Sequence, residues 1–371
     1  MTNTGCTPLT YRIAFAGLQG MGVDLARKLL DVVGSEERFF AMDEKELRQL
    51  TRGRSKIYRD DYRRECLEKA RREEAFVHEH SIAATYFTDA AYPHRLLEAP
   101  DAPAMVYSLG ECSLESAHVI SVVGTRHATQ YGIRFCDTLI GELAQRLPDL
   151  VVVSGLAYGI DIAAHRAALK HGVSTVAVLP RGLNKIYPAM HRNDAIAIVK
   201  SGGMLLTDYT SQDEVQKSNF LARNRIVAAL SDCTVIVESA GSGGALVTAS
   251  LAMSYNRDVM AVPGRCGDEF SVGCNKLIAT NKAALITGAD DLMAAMRWES
   301  AVPQPQQLDL FPELTKEEQA VVDIIRNHGE IHLNALADAL HAPVYKLMSI
   351  LVELDCKNVI TTLPGCRYAL L

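Results

Sequence analysis

Seven short runs rich in Val, Ile and Leu most constrain how this chain folds. They read "HVISVVG", "LVVVSG", "STVAVLP", "GMLLTD", "CTVIVES", "DVMAVPG" and "AALIT", and are spread over residues 118–287 with helix-length stretches between them. A strand covered on both faces has no polar side to present, so it reads as an unbroken apolar run rather than an alternation. Such runs separated by helices predict an α/β domain over residues 116–298, a doubly wound, Rossmann-like parallel sheet. Most runs end in a glycine or polar turn, and ligands of these sheets bind beyond the carboxyl ends of the strands.

At 371 residues the chain is long enough for more than one domain. Residues 1–115 read as a small helical domain, SAM- or helix-hairpin-helix-like. Within it "LQGMGVDLARKLL", Leu18 to Leu30, places Gly20 and Gly22 in a tight turn before a helix, a shape that lets backbone N–H groups approach a phosphate. The alternative is a plain turn in a helical bundle. Residues 299–314 form a Pro-rich linker, and 315–371 read as three helices and a hairpin, a winged-helix-like domain.

Composition narrows the function classes. The formal net charge is −6, so a basic nucleic-acid coat is excluded and any polyanion must be met by a local patch. Nine cysteines, scattered and without a C-x-x-C pair, fit a reduced, cytoplasmic chain and give no metal site. No apolar run reaches ~18 residues, so no membrane span is expected, and the amino terminus lacks a signal pattern.

The loops after the strands hold the candidate site. They carry Gly124, Thr125 and Arg126, then Gly155 in "SGLAYGID", then Arg181 and Gly182, and finally Ser242 and Gly243 in "SAGSGGALVT". Glycines permit close backbone approach, and helix N-termini direct N–H groups at anions. The stretch "QKSNFLARNR" adds Lys217, Arg223 and Arg225 around Phe220. With Arg126, Arg181 and Lys217 as point charges, this is a phosphate-binding groove. One aromatic among cations suits single-stranded nucleic acid, whose bases stack while its backbone follows the charges. Were Phe220 packed inward, Lys217 and Arg223 could still hold phosphates.

Enzymatic readings fit less well. The first strand turn reads G-T-R-H-A-T, not G-x-G-x-x-G, and "GSGGALVTA" has no Walker lysine, so no cofactor is expected. A nucleotide phosphoribohydrolase uses a P-G-G-x-G-T-x-x-E loop, and with its double glycine laid on Gly243-Gly244, Ser250 stands in the glutamate's place. Asp161 and His165, four apart at a helix start, have the spacing of an acid–base pair. A structural role is preferred for both, the Asp at the helix dipole and the His in a polar pocket.

Taken together, "VVGTRHATQYG", "SGLAYGIDIAAHRAAL", "VAVLPRGLNKIYP", "FLARNRIVAALS" and "VIVESAGSGGALVTASLA" resemble the signature blocks of the DNA processing protein A family, also called Smf, over residues 90–290. The chain is identified as a member. The resemblance implies a DNA-binding recombination mediator and not an enzyme. Such a protein binds and protects single-stranded DNA during natural transformation. It loads the RecA recombinase onto strands covered by single-strand-binding protein, and it acts as a homodimer. A nucleotide phosphoribohydrolase-like enzyme is the alternative. At matching positions the resemblance makes Arg126 and Lys217 phosphate contacts and Phe220 a base contact. Gly155 and Gly182 become backbone contacts, with Arg223 and Arg225 in the same stretch. Leu221 departs from a common proline, "TDY" from Ser-Glu, and "LIATNKA" from Gly-Ala.

Two outlying segments complete the reading. Residues 313–371 hold five Lys/Arg against eight Asp/Glu, which favours a protein-interaction or regulatory module over a reader of duplex DNA. In the linker, Gln307 to Phe311, "QLDLF", resembles the pentapeptide that docks bacterial proteins on the sliding clamp; the alternative is an apolar tether.

Overall fold

The computed structural model describes residues 6–299, 314–357, 359–363 and 365–370, which fall into two compact units on either side of the linker. The linker motif Gln307–Phe311 lies outside the described residues. No single described helix is long and apolar enough to cross a membrane.

The first unit begins with α1 (Pro8–Ala16), started by a reciprocal capping box between Thr7 and Thr10. Next come α2 (Val23–Val33), α3 (Glu36–Ala41), α4 (Glu44–Thr51) and α5 (Asp60–Glu79). The glycine turn before α2 forms, with Gly20 at φ +74°. Three N–H groups along it are used internally. Val23 N donates to the Ala102 carbonyl at 3.0 Å, Met21 N to Leu18, and Gln19 N to the Tyr62 hydroxyl at 3.1 Å. Those bonds pack the turn against Ala102 and α5. The mixed-charge helix α5 is exposed on most positions, but Arg63 and Glu73 are buried. Glu73 accepts from the Ser211 backbone N–H at 2.8 Å, fastening the helical segment to a loop of the sheet.

Residues 1–115, expected to be helical, also supply two strands, β1 (Ala83–Tyr86) and β2 (Met105–Gly110), with the single turn α6 (His94–Leu97) between them. The seven apolar runs then become β3 (His118–Val123), β4 (Leu150–Ser154), β5 (Ser174–Val178), β6 (Met204–Thr207), β7 (Cys233–Ile236), β8 (Asp258–Ala261) and β9 (Ala284–Leu285). Between them lie α7 (Gln130–Arg146), α8 (Ile160–Lys170), α9 (Arg192–Lys200), α10 (Lys217–Ala229), α11 (Gly244–Ser254) and α12 (Val272–Ala279), and α13 (Ala289–Met296) follows β9. The sheet order is β1-β2-β6-β5-β4-β3-β7-β8-β9, parallel from β6 to β9 and antiparallel at β1 and β2.

Alternate residues of the central strands serve the two faces. Ile120, Val122, Val152 and Val235 pack with Leu139, Ile140 and Leu143 of α7 and Ala164 of α8. Val119, Val123, Val151 and Ile236 pack with Ile226 of α10 and Ala249 of α11. Burial on both sides explains the unbroken apolar runs.

The second unit runs α14 (Lys316–His328), β10 (Glu330–His332), α15 (Leu333–Leu340), α16 (Val344–Cys356), β11 (Ile360–Leu363) and β12 (Arg367–Leu370). Its antiparallel sheet has the order β10-β12-β11, and Val321, Ile325, Leu336, Leu347, Leu351 and Tyr368 share its core. On α16, Tyr345, Met348 and Val352 are exposed at 72%, 43% and 57%.

Candidate nucleic-acid interface

Strand order reverses at β3: the chain builds outward through β4, β5 and β6 on one side, then returns to place β7 on the other. Connections therefore diverge beyond the carboxyl ends of β3 and β7, where doubly wound sheets leave a crevice. A groove of about 500 Å³ opens there, lined by Gly124, Thr125 and Arg126 after β3, by Ser242 and Gly243 beyond β7, and by the first turns of α10.

The β3 loop is held rigidly from beneath. Thr125 N donates to the Glu238 carbonyl at 2.7 Å, and the Thr125 carbonyl accepts from Ile160 N at 3.1 Å. Gly124 is needed for this closeness, since a Cβ there would lie 2.5 Å from Ile160 Cγ1. Arg126 is left exposed at the loop's tip. Glu238, buried, accepts from Thr129 N and from the Thr129 hydroxyl at 2.6 Å, which anchors the start of α7. Two helices present N-termini to the groove with no side-chain cap: α10, preceded by Gln216, and α11, preceded by Gly243 at φ +154°. Uncapped first-turn N–H groups and the helix dipole both favour an anion.

Helical spacing divides α10 into two faces. Positions i, i+3, i+4 and i+7 put Lys217, Phe220, Leu221 and Asn224 on the groove. Asn219, Arg223 and Ile226 are buried on the sheet side. Phe220 is half-buried; its ring meets Tyr187 edge-on at 5.2 Å, and the Arg126 guanidinium lies over it, 5.5 Å from its centroid. Cations attract the negative face of an aromatic ring. The two cations and the ring that the sequence singled out are thus one cluster.

Other expected contacts are placed elsewhere. Arg223 is buried and donates from Nη1 to the Gly155 carbonyl at 2.6 Å and to the Val178 carbonyl. Gly155 is glycine because a Cβ would fall 2.2 Å from that nitrogen, so its carbonyl serves the scaffold. Burial pushes the Arg223 pKa below its ordinary value, while the Asp161 carboxylate opposes the shift. Burial likewise raises the Asp161 pKa, with Arg223 opposing the shift, and both side chains lie in the groove wall. Arg225 turns toward the α1–α6 side, bonding Asp208 at 2.5 Å and the Asp101 carbonyl. Gly182 is buried with a would-be Cβ 2.2 Å from the Thr210 carbonyl, and Arg181 is half-buried; neither lines the groove.

Asp161 and His165 do not act on each other as an acid–base pair. His165 is fully buried, its Nδ1 2.8 Å from the Thr175 hydroxyl, and burial drives its pKa down to about 3. It is a neutral core histidine. Sequence reasoning missed Tyr187, Asn224 and Thr248 as groove residues. Tyr187 sits in the quoted block "NKIYP", but nothing in its spacing relates it to Phe220, thirty-three residues on. Asn224 is recoverable, since it lies seven residues after Lys217 on the same helical face.

A cation- and aromatic-lined groove at the switch point places the chain among doubly wound α/β proteins, whose ligands bind beyond the carboxyl ends of the strands. The family profile for DNA recombination-mediator protein A matches residues 83–297, and the chain belongs to that family. It is 33% identical to Protein Smf of Escherichia coli over 293 residues, 74% of each chain. It is 36% identical to DNA processing protein DprA of Streptococcus pneumoniae over 206 residues, 56% of this chain and 71% of that one. The crystal structure of the Streptococcus pneumoniae DNA processing protein A superposes with a TM-score of 0.64 at 29% identity, covering 78% of this chain and 98% of that one. DNA processing protein A of Helicobacter pylori, whose structure concerns its single-stranded DNA binding mode, gives a TM-score of 0.51 at 29% identity over 58% and 95%.

Proposed function

We propose that the switch-point groove holds single-stranded DNA without sequence preference. Arg126 and Lys217 take phosphates, Phe220 takes a base, and the N-termini of α10 and α11 add backbone donors. The observation that carries the reading is the clustering of Arg126, Phe220 and Tyr187 beside Lys217 in one groove. As a strand enters, the guanidinium moves from the ring to a phosphate and leaves a face for the base. The likeness to the Helicobacter pylori protein supports the same ligand.

On this reading the chain is a binding protein and not an enzyme. It protects incoming strands during natural transformation, loads RecA onto strands covered by single-strand-binding protein and works as a homodimer in the cytoplasm. Family membership supports these roles. Release of free base from nucleoside monophosphates would instead favour the phosphoribohydrolase alternative. The second unit, with the element order of a winged helix, presents Tyr345, Met348 and Val352 on α16 where a duplex reader would place cations. We read it as a protein-interaction module. Gln307–Phe311 we read as a clamp-docking peptide, to be checked by titrating a peptide of residues 303–315 onto a sliding clamp; no binding would remove that assignment.

Anisotropy titrations with oligothymidylate test the groove. Phe220→Ala is expected to cost ~1–3 kcal/mol of binding. Arg126→Ala and Lys217→Ala should each reduce the slope of log affinity against log salt by about 0.7. Wild-type affinity and slope in all three variants would end the proposal.

A further inference from the structure

Arg126 stands on a ridge between two grooves. A second cavity, of about 480 Å³, lies between the amino-terminal half of α7 and the length of α8, and Arg126 lines both grooves. Gly159, which starts α8 at φ +75°, is the reason the two come together. A Cβ there would lie 2.1 Å from the Thr125 carbonyl, so only glycine lets the helix close against the loop that carries Arg126. The floor of the second groove is apolar, with Ile133 and Ile162, and its rim carries Arg134, Arg166 and Lys170. Tyr158 stands at its edge, 41% exposed, with His191 edge-on at 5.2 Å.

The charge balance favours an anion. Two carboxylates are nearby: Asp137 binds Lys170 at 2.6 Å, and Asp194 binds Arg166 at 2.8 Å. The Lys170–Asp137 pair is exposed, where such bridges contribute little and can exchange for a phosphate. Arg166 instead holds the largely buried Asp194 through two bonds and keeps only its outer edge for a ligand. Arg134 is exposed, donates to the Gln130 carbonyl at 3.1 Å, and makes no ion pair among the described residues. Cations beside a ring, continuous with a groove already lined the same way, form a track for a chain of phosphates and bases.

We propose that a single strand longer than the first groove continues across Arg126 into the α7–α8 groove. There Arg134, Arg166 and Lys170 hold its phosphates and Tyr158 stacks a second base. This rests on the first groove being the single-strand site. An acidic peptide with apolar side chains is the competing occupant; continuity through Arg126 favours the nucleic acid.

The test uses the full chain with oligothymidylates of about 6 and about 20 nucleotides, chosen around the roughly 4–16 nucleotides that single-strand sites span. Arg134→Glu and Tyr158→Ala should weaken binding of the longer oligonucleotide roughly 5-fold to 100-fold, and that of the shorter by less than about twofold. Tyr158→Phe should retain the wild-type behaviour, and Phe220→Ala should weaken both lengths. If the two second-groove variants bind the longer oligonucleotide normally while Phe220→Ala weakens both, the extension is wrong and the first-groove reading survives. If they weaken both lengths alike, the second groove adds nothing of its own and the extension again fails. If Phe220→Ala weakens neither, both readings fall. Capture of an acidic peptide that Arg134→Glu abolishes, with the longer oligonucleotide unaffected, would assign the groove to a protein and overturn the proposal.

Discussion

Arg223 and Phe220 are three residues apart on one helix and differ in what their loss should do. Phe220 is half-exposed on the groove, so truncating it should weaken binding and leave the fold intact. Arg223 is buried and donates to the Gly155 and Val178 carbonyls, so removing it leaves buried polar groups without their partner. Leaving a buried group unsatisfied in this way costs about 1–3 kcal/mol. His165 gives a pH signature of the same interior. Its folded pKa, about 3, lies below its ordinary value of 6.5, so it binds a proton in the unfolded chain but not in the folded one between those values. Its contribution is fully present above the unfolded pKa and is lost as pH falls toward 3. Denaturant titrations from pH 7 to pH 4 should therefore show His165→Asn with a shallower stability loss than wild type, by up to about 1.4 kcal/mol per pH step of one. Parallel curves would refute the assignment.

At the scale of elements, the loop after β4 meets α10 closely in the site wall. Gly155→Ala would push a methyl group into the Arg223 guanidinium, and overpacking of this kind costs about 1–3 kcal/mol. Thermal melting should show the loss; an unchanged midpoint would mean that the guanidinium is free to move. The central strands β3 to β8 were legible in the sequence because burial on both faces left them unbroken apolar runs. β1 and β2 were not. "AATY" is a four-residue edge strand, half-exposed, and both strands sit among turn residues in a stretch dominated by charged helices. Within the site, Arg126, Lys217 and Phe220 could be read from charge and position after strands. Arg223 and Arg225 could not be sorted, because two residues rotate about 200° around a helix and the sequence does not say which side meets the groove. Arg223 does so only as part of the wall, its guanidinium spent on the Gly155 and Val178 carbonyls, and Arg225 bonds Asp208 instead.

For the whole molecule, a net charge of −6 and a groove for polyanions are compatible because the cations are gathered, not abundant. Binding should therefore be strongly salt-dependent and confined to the first unit. Removing residues 313–371 should leave single-strand affinity within about twofold, since α16 presents apolar side chains and the segment's charge is net acidic. Loss of most affinity in that truncation would give the second unit a part in holding DNA.

On the proposed function the Phe220 ring meets a base. That contact is tested most directly by photocrosslinking the full chain to an oligonucleotide carrying 5-iododeoxyuridine and reading the joined peptides by mass spectrometry. A crosslink is expected at Phe220 or at Tyr187, whose ring meets it at 5.2 Å, and it should disappear in high salt. Crosslinks confined to other segments, with none at either ring, would contradict the proposed contact.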